Sequence, residues 1–171
     1  MTLLYTHMES PVGPLLLAGD GQALHVMSFS TGARPRKPEP EWRRDDAPFK
    51  EAKRQLDAYF AGDLRCFDLP YHLSGSDFQV RVWRYLAEIP FGETRSYGAV
   101  ASALGDAGAS RAVGAANGKN RLAIILPCHR VIGANGALVG FGGGLETKTY
   151  LLRHEGALPA TEDRQFDLFD I

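Results

Sequence analysis

The hydrophobic period of this chain is strand-like near the N-terminus and mostly helical beyond residue 74, and that contrast limits the folds open to it. From the N-terminus to about Ser30, short apolar runs (Leu3-Leu4-Tyr5, Leu15-Leu16-Leu17-Ala18, Leu24-His25-Val26-Met27) are separated by the turn formers Ser10-Pro11-Val12-Gly13-Pro14 and Gly19-Asp20-Gly21. Two or three strands in a meander are expected. From Phe49 the spacing becomes helical, with Ala52, Leu56, Tyr59 and Phe60 on one stripe until Gly62 stops it. Leu64 to Leu69 alternates as a further strand, which places Cys66 among structural residues. Thr31 to Pro48 is rich in Pro, Arg and Glu with neither period, a surface loop or mobile linker to which no chemistry is assigned. Beyond residue 74 the pattern is mostly helical. The expected class is α+β: a sheet-bearing part over 1–73, a helical part over 74–158, and an acidic tail over 159–171.

A chain of 171 residues can hold one sizeable core or two small ones. No apolar run approaches the roughly 18 residues that span a bilayer, and the N-terminus lacks a charged region followed by an apolar stretch, so the expectation is a cytoplasmic protein with no membrane partner. The two cysteines, Cys66 and Cys128, give neither a disulfide framework nor a Cys-x-x-Cys zinc pattern. His7, His25 and His72 have no cysteine nearby, and no metal is expected. Net charge is −1, but residues 74–158 carry 9 basic against 6 acidic groups while the tail carries 1 against 4. That asymmetry suits a middle segment facing DNA.

Within the helical part, Asp77 is placed to cap a helix whose stripe is Phe78, Val82, Trp83 and Leu86, ending at Ile89-Pro90-Phe91-Gly92. Ser96 caps a second helix with Val100, Ala101 and Leu104 inward, and Gly105 stands where a left-handed residue is expected. After Asp106-Ala107-Gly108 a third helix runs from Ser110 to about Asn117. Helix, short glycine-containing turn, helix is the helix-turn-helix pattern. Its second helix is unusual: Ala109, Ala112, Gly114, Ala115 and Ala116 are small and Arg111 alone projects far. Such a surface fits either tight helix packing or close approach to a narrow groove, and it lacks the long side chains that read base edges.

The strongest chemical signal is Ile124-Ile125-Leu126-Pro127-Cys128-His129-Arg130-Val131-Ile132-Gly133. A buried run delivers a thiol to a turn, with imidazole and guanidinium neighbours and a helix start after Pro127 that favour the thiolate. Cys128 is therefore a candidate nucleophile, although a small core cysteine fits the bare tripeptide equally. Asn135-Gly136 downstream is a strong hairpin signal.

Ser96-Tyr97-Gly98, Ser110-Arg111-Ala112-Val113-Gly114-Ala115-Ala116-Asn117, Asn120, Pro127-Cys128-His129-Arg130-Val131 and Leu151-Leu152-Arg153-His154-Glu155-Gly156 closely resemble the O6-alkylguanine-DNA alkyltransferases of the stand-alone bacterial type. The match runs without an obvious gap from about Phe78 to Leu158. The resemblance implies a ribonuclease-H-like N-terminal α/β scaffold with no catalytic role, and a C-terminal domain with a winged-helix-like helix-turn-helix. It implies single-turnover repair of double-stranded DNA carrying O6-alkylguanine by a monomer needing no cofactor. The catalytic set is Cys128, His129 and Glu155, with Asn120 bracing the turn before an active-site strand and Tyr97 assisting base rotation. Ala109, Ser110, Arg111, Ala112, Gly114 and Tyr97 would meet the minor groove, and Val131, Phe141, Gly142 and Gly143 would form the substrate pocket. Lys148 matches a family lysine, with a helix-surface lysine as the default. The chain departs from the family pattern at Phe141-Gly142, where an aromatic, usually tyrosine, and a serine or alanine are expected; the extra room would admit alkyl groups larger than methyl, or O4-alkylthymine. Gln165-Phe166-Asp167-Leu168-Phe169 resembles the short peptide by which bacterial repair proteins bind the sliding clamp. Two other readings stay open on the residues: a cysteine hydrolase using the same three groups, and a non-catalytic lesion-recognition module, which the presence of Cys128 disfavours.

Overall fold

The computed structural model describes residues 2–138 and 141–158. The N-terminal half holds strands β1 (Leu4–Met8), β2 (Leu15–Gly19), β3 (Leu24–Phe29) and β4 (Arg43–Arg44), then helix α1 (Lys50–Phe60). The C-terminal half holds α2 (Asp77–Leu86), β5 (Arg95–Ser96), α3 (Tyr97–Ala103), α4 (Ser110–Gly118), β6 (Val131–Ile132) and α5 (Leu145–His154). The main sheet has the order β3-β2-β1-β4, an antiparallel meander with β4 added in parallel. β2 is central and buried at every position, so it is a continuous apolar run rather than an alternation. Leu15 and Leu17 face the helices, while Leu16 and Ala18 join Leu3, Val26 and Trp42 in a small cluster on the other face.

The sheet does not stop at β3. The Met27 amide donates to the Arg121 carbonyl at 2.8 Å, and the Ala123 amide donates to the Met27 carbonyl at 2.9 Å. The chain just before Cys128 thereby pairs with the outer edge of the N-terminal sheet. One apolar core continues across both halves, from Leu17, Met27, Leu56 and Tyr59 to Val82, Leu86, Val113, Leu126 and Leu151.

Four local expectations need correction. Leu64–Leu69 is not a strand: Gln55 on α1 binds the main chain of Asp68 twice, donating to its carbonyl at 3.0 Å and accepting from its amide at 2.8 Å. A side-chain amide thus satisfies, at Asp68, the groups a neighbouring strand would have used, and Cys66 is exposed. The cap of α2 is Ser76 rather than Asp77, in a reciprocal capping box with Gln79. Asn135-Gly136 does form a turn, with Gly136 at φ +85° and the Gly133 amide donating to the Ala137 carbonyl at 2.7 Å, but among the described residues β6 pairs in parallel with β5 and with no following strand. Ile124-Ile125-Leu126 is a turn and not an active-site strand, because Ile124 adopts φ +68°. Ser96 caps α3 as expected, accepting from the Ala99 amide at 3.0 Å, and Gly105 has φ +86°.

Candidate active site

Cys128 opens a single 3-10 turn, Cys128–Arg130, immediately after Pro127. A left-handed β-branched residue such as Ile124 costs about 1–2 kcal/mol, so something must hold it. Asn120 does: its side-chain amide donates to the Leu126 carbonyl at 2.9 Å, and its oxygen accepts from the Leu122 amide at 3.0 Å. Asn117, on the buried face of α4, donates to the Cys128 carbonyl at 3.2 Å. Two asparagines from one short stretch fix the backbone on both sides of the thiol.

Behind the thiol lies a buried ionic group. Glu155, at the end of α5, has a fully buried side chain. Its Oε2 accepts from His129 Nε2 at 2.8 Å, from the Tyr59 hydroxyl at 2.6 Å and from an Arg130 terminal nitrogen at 2.9 Å; its Oε1 accepts from Arg130 Nε at 2.7 Å. Arg130 also donates to the Ile89 carbonyl at 2.6 Å. Burial alone would raise the Glu155 carboxyl, but hydrogen bonds and charge from His129 and Arg130 outweigh it and hold the group at about 2. An ionised carboxylate only accepts, so His129 must carry its proton on Nε2. His129 Nδ1 is then a bare lone pair, and it has no hydrogen-bond partner among the described residues.

The charge states differ from the expectation of a favoured thiolate. Burial pushes the Cys128 thiol up, against smaller opposing effects of Asn120 and Lys148, and burial pushes His129 down against the pull of Glu155. Arg130, expected beside the thiol, is spent on Glu155. The resting pair is a neutral thiol and a neutral imidazole base. Lys148 is not on the surface: it is buried, donates from Nζ to the Val131 carbonyl at 2.8 Å, stands 5.9 Å from the Phe141 ring centre, and is lowered by burial to about 8.

Cys128 forms part of the wall of a cavity of about 590 Å³, within the usual size of small-ligand sites, about 300–1,000 Å³. Phe141, Gly142, Asn117 and Asn120 line it, and so do Arg34, Arg36 and Lys37. Residues 34–39 therefore belong to the site, contrary to the expectation that 31–48 carries no chemistry, while Arg43–Arg44 further along pair with β1; the Arg34 amide donates to the Gly142 carbonyl at 2.8 Å, tying this segment to the substrate-side loop. No period marks such a role, and only the density of cations hints at it. Val131 and Gly143 do not line this cavity. Val131 is fully buried behind the reactive turn, and Gly143 packs so closely on Phe29 that a Cβ would meet its ring at 2.8 Å.

On α4 the small residues divide between two uses. Gly114 lies beneath the Tyr97 ring and Ala116 accepts from Trp83 Nε1 at 2.8 Å, so these two serve packing. Arg111, Ala112 and Ala115 face outward, with Ala109 and Ser110 half-buried at the helix start. Tyr97 is half-buried beside Asn117 and Cys128, and burial raises its phenol. Gln165–Phe169 lies outside the described residues.

Residues 77–157 match the family described as 6-O-methylguanine DNA methyltransferase, DNA binding domain, and residues 3–73 match its ribonuclease-like domain. The chain belongs to the O6-methylguanine-DNA methyltransferase family. A methylated-DNA--protein-cysteine methyltransferase of Methanosarcina acetivorans is 50% identical over 155 residues, covering 91% of this chain and 99% of the relative. One from Mycobacterium bovis is 48% identical over 164 residues, 95% of this chain and 98% of its own length. Mycobacterium tuberculosis OGT in complex with DNA superposes with a TM-score of 0.83 at 50% identity, covering 90% of this chain and 93% of that one. The methyltransferase fold of this family, a small N-terminal sheet unit followed by a helical unit, is the one described above.

Proposed function

We propose that Cys128 is the acceptor in a DNA-repair methyltransferase that moves an alkyl group from O6-alkylguanine in duplex DNA to its own thiol. The observation that carries this is the geometry around His129: Nε2 lies 2.8 Å from Glu155 Oε2 and Nδ1 has no partner among the described residues, which leaves Nδ1 to receive the thiol proton. The thiol gives its proton to Nδ1, through a bridging water in the resembled family. Sulfur then bonds to the alkyl carbon, the O6–carbon bond breaks, and guanine leaves with the electron pair. The resulting thioether has no easy hydrolysis route, so each molecule acts once; a thioester-forming hydrolase would turn over.

Guanine O6 is sequestered in the duplex, and the base must swing out at a cost of a few kcal/mol. Arg111 and the outward alanines of α4 approach the minor groove, Arg111 fills the vacated stack, and Tyr97 donates a hydrogen bond toward the leaving base. Phosphate affinity without a basic overall charge comes from local concentration: among the described residues Arg34, Arg36, Lys37, Lys119 and Arg121 border the Cys128 cavity against a single carboxylate, Glu39. The protein works as a monomer in the cytoplasm, and the Gln165–Phe169 peptide docks on the sliding clamp. O4-alkylthymine and larger alkyl groups on guanine enter the space left at Gly142.

Intact mass after mixing equimolar protein with a duplex carrying one O6-methylguanine tests this reading. A gain of one methylene, about 14 Da, on the wild type and none on Cys128→Ala is expected. Binding without mass gain would replace the transfer reading by lesion recognition.

A further inference from the structure

The N-terminal half carries one group that reaches the ionic network behind the thiol. Tyr59, on α1, is fully buried, and both of its ends are held by consecutive residues at the close of α5. Its hydroxyl donates to Glu155 Oε2 at 2.6 Å, and its carbonyl accepts from His154 Nε2 at 2.7 Å. Its ring stands edge-on to Phe60, Phe91 and His154. Packing alone would be served as well by phenylalanine. The hydroxyl is placed on the same carboxylate oxygen that holds His129 Nε2 at 2.8 Å.

Resting on the alkyl-transfer reading above, we propose that Tyr59 is a positioning residue of the proton relay, setting through Glu155 the orientation and base strength of His129. The physical basis is competition for one oxygen. Each donor on Oε2 draws charge that would otherwise stabilise an imidazolium, so the Tyr59 hydroxyl lowers the affinity of His129 for a second proton. Burial and the adjacent carboxylate keep the phenol protonated, which makes Tyr59 a donor throughout the working range. The other groups facing His129 are Arg130 and Lys148, both cationic and both opposing imidazolium, with the neutral Cys128 thiol beside it in the turn. Glu155 is the single anion, and Tyr59 is the only contact of that anion from the N-terminal half among the described residues. Proton removal from the thiol is thereby coupled to the seating of α1 against α5.

The test compares the wild type, Tyr59→Phe and His154→Ala as full-length proteins. His129 is titrated by NMR with labelled histidine, without DNA, and methyl transfer from an O6-methylguanine duplex is followed in single turnover across pH. In Tyr59→Phe the His129 midpoint moves up by about one pH unit, as expected for losing one hydrogen bond to the partner carboxylate, and the acid limb of the transfer rate moves with it. His154→Ala loosens the same seam without touching the hydroxyl and leaves the His129 midpoint in place. A lower melting temperature in Tyr59→Phe with both titrations unmoved would reduce Tyr59 to a packing residue and overturn the proposal; so would an equal shift in His154→Ala. If the wild type transfers no methyl group, the alkyl-transfer reading fails, while the His129 titration still decides the role of Tyr59.

Discussion

Replacing Glu155 by glutamine removes one negative charge from a place where a guanidinium has been built to meet it. The Arg130 side chain is 7% exposed and that of Glu155 is 0% exposed, and two charge-assisted hydrogen bonds of 2.7 and 2.9 Å join them. Breaking a buried pair from one side leaves an uncompensated charge and costs about 3–5 kcal/mol. For a chain of this size each kcal/mol moves the melting temperature by about 2–4 °C, so Glu155→Gln should melt about 10 °C below the wild type. Urea unfolding gives the free energy, and Glu155→Gln combined with Arg130→Met provides the control, because removing both charges should recover at least about 1 kcal/mol of the loss. The pH dependence has a definite sign. The Glu155 carboxyl is held at about 2 in the folded chain, against about 4.3 when unfolded. Its contribution is fully present above the unfolded value and is lost as pH falls toward 2. The acid limb of stability should therefore be steeper in the wild type than in Glu155→Gln. A loss under about 1 kcal/mol, or a double variant equal to the sum of its parts, would refute this account of the network.

Two further outcomes follow from the cavity. A Cβ at Gly142 would meet only Arg34 Nε, at 3.9 Å, so Gly142→Ser fits without strain and narrows the pocket. Benzyl transfer should slow relative to methyl transfer in parallel single-turnover assays, and unchanged benzyl reactivity would count against the wider pocket. Arg36 lines the same cavity as Arg121, and burial and then that like charge lower it against the opposing pull of Glu39. Arg36→Ala should weaken binding to undamaged duplex and flatten its salt dependence by about one phosphate contact with no fall in melting temperature; an unchanged salt slope would remove Arg36 from the DNA-contacting set.

What the sequence disclosed was whatever depends on neighbours in the chain. The Ser96 cap, the left-handed Gly105, the extent of α4 and the turn after Pro127 are set by residues a few positions apart. The adjacency of Cys128, His129 and Glu155 came from resemblance, because no local rule links residues 26 positions apart. What stayed hidden was decided by tertiary contact. Leu64–Leu69 alternates like a strand, yet Gln55 holds both main-chain groups of Asp68. Lys148 has the composition of a surface residue and is buried under the reactive turn. Tyr59 read as one member of an apolar stripe; its hydroxyl at a fully buried position was the available sign of a partner. The 31–48 stretch has no period to read, and Arg34 and Arg36 acquire meaning only beside Cys128.

The bond from Tyr59 to Glu155 closes a loop of 96 positions, and this places the reactive centre late in the life of the molecule. During synthesis, Cys128 emerges before the carboxylate that fixes the tautomer of its base and before Arg130 has a counter-charge. Native structure at such sequence separation forms after local helices and turns, since the entropy of closing the long loop must be met first. A nascent or half-folded chain thus carries the thiol without its base in register, and an irreversible reagent is armed only when both halves have come together.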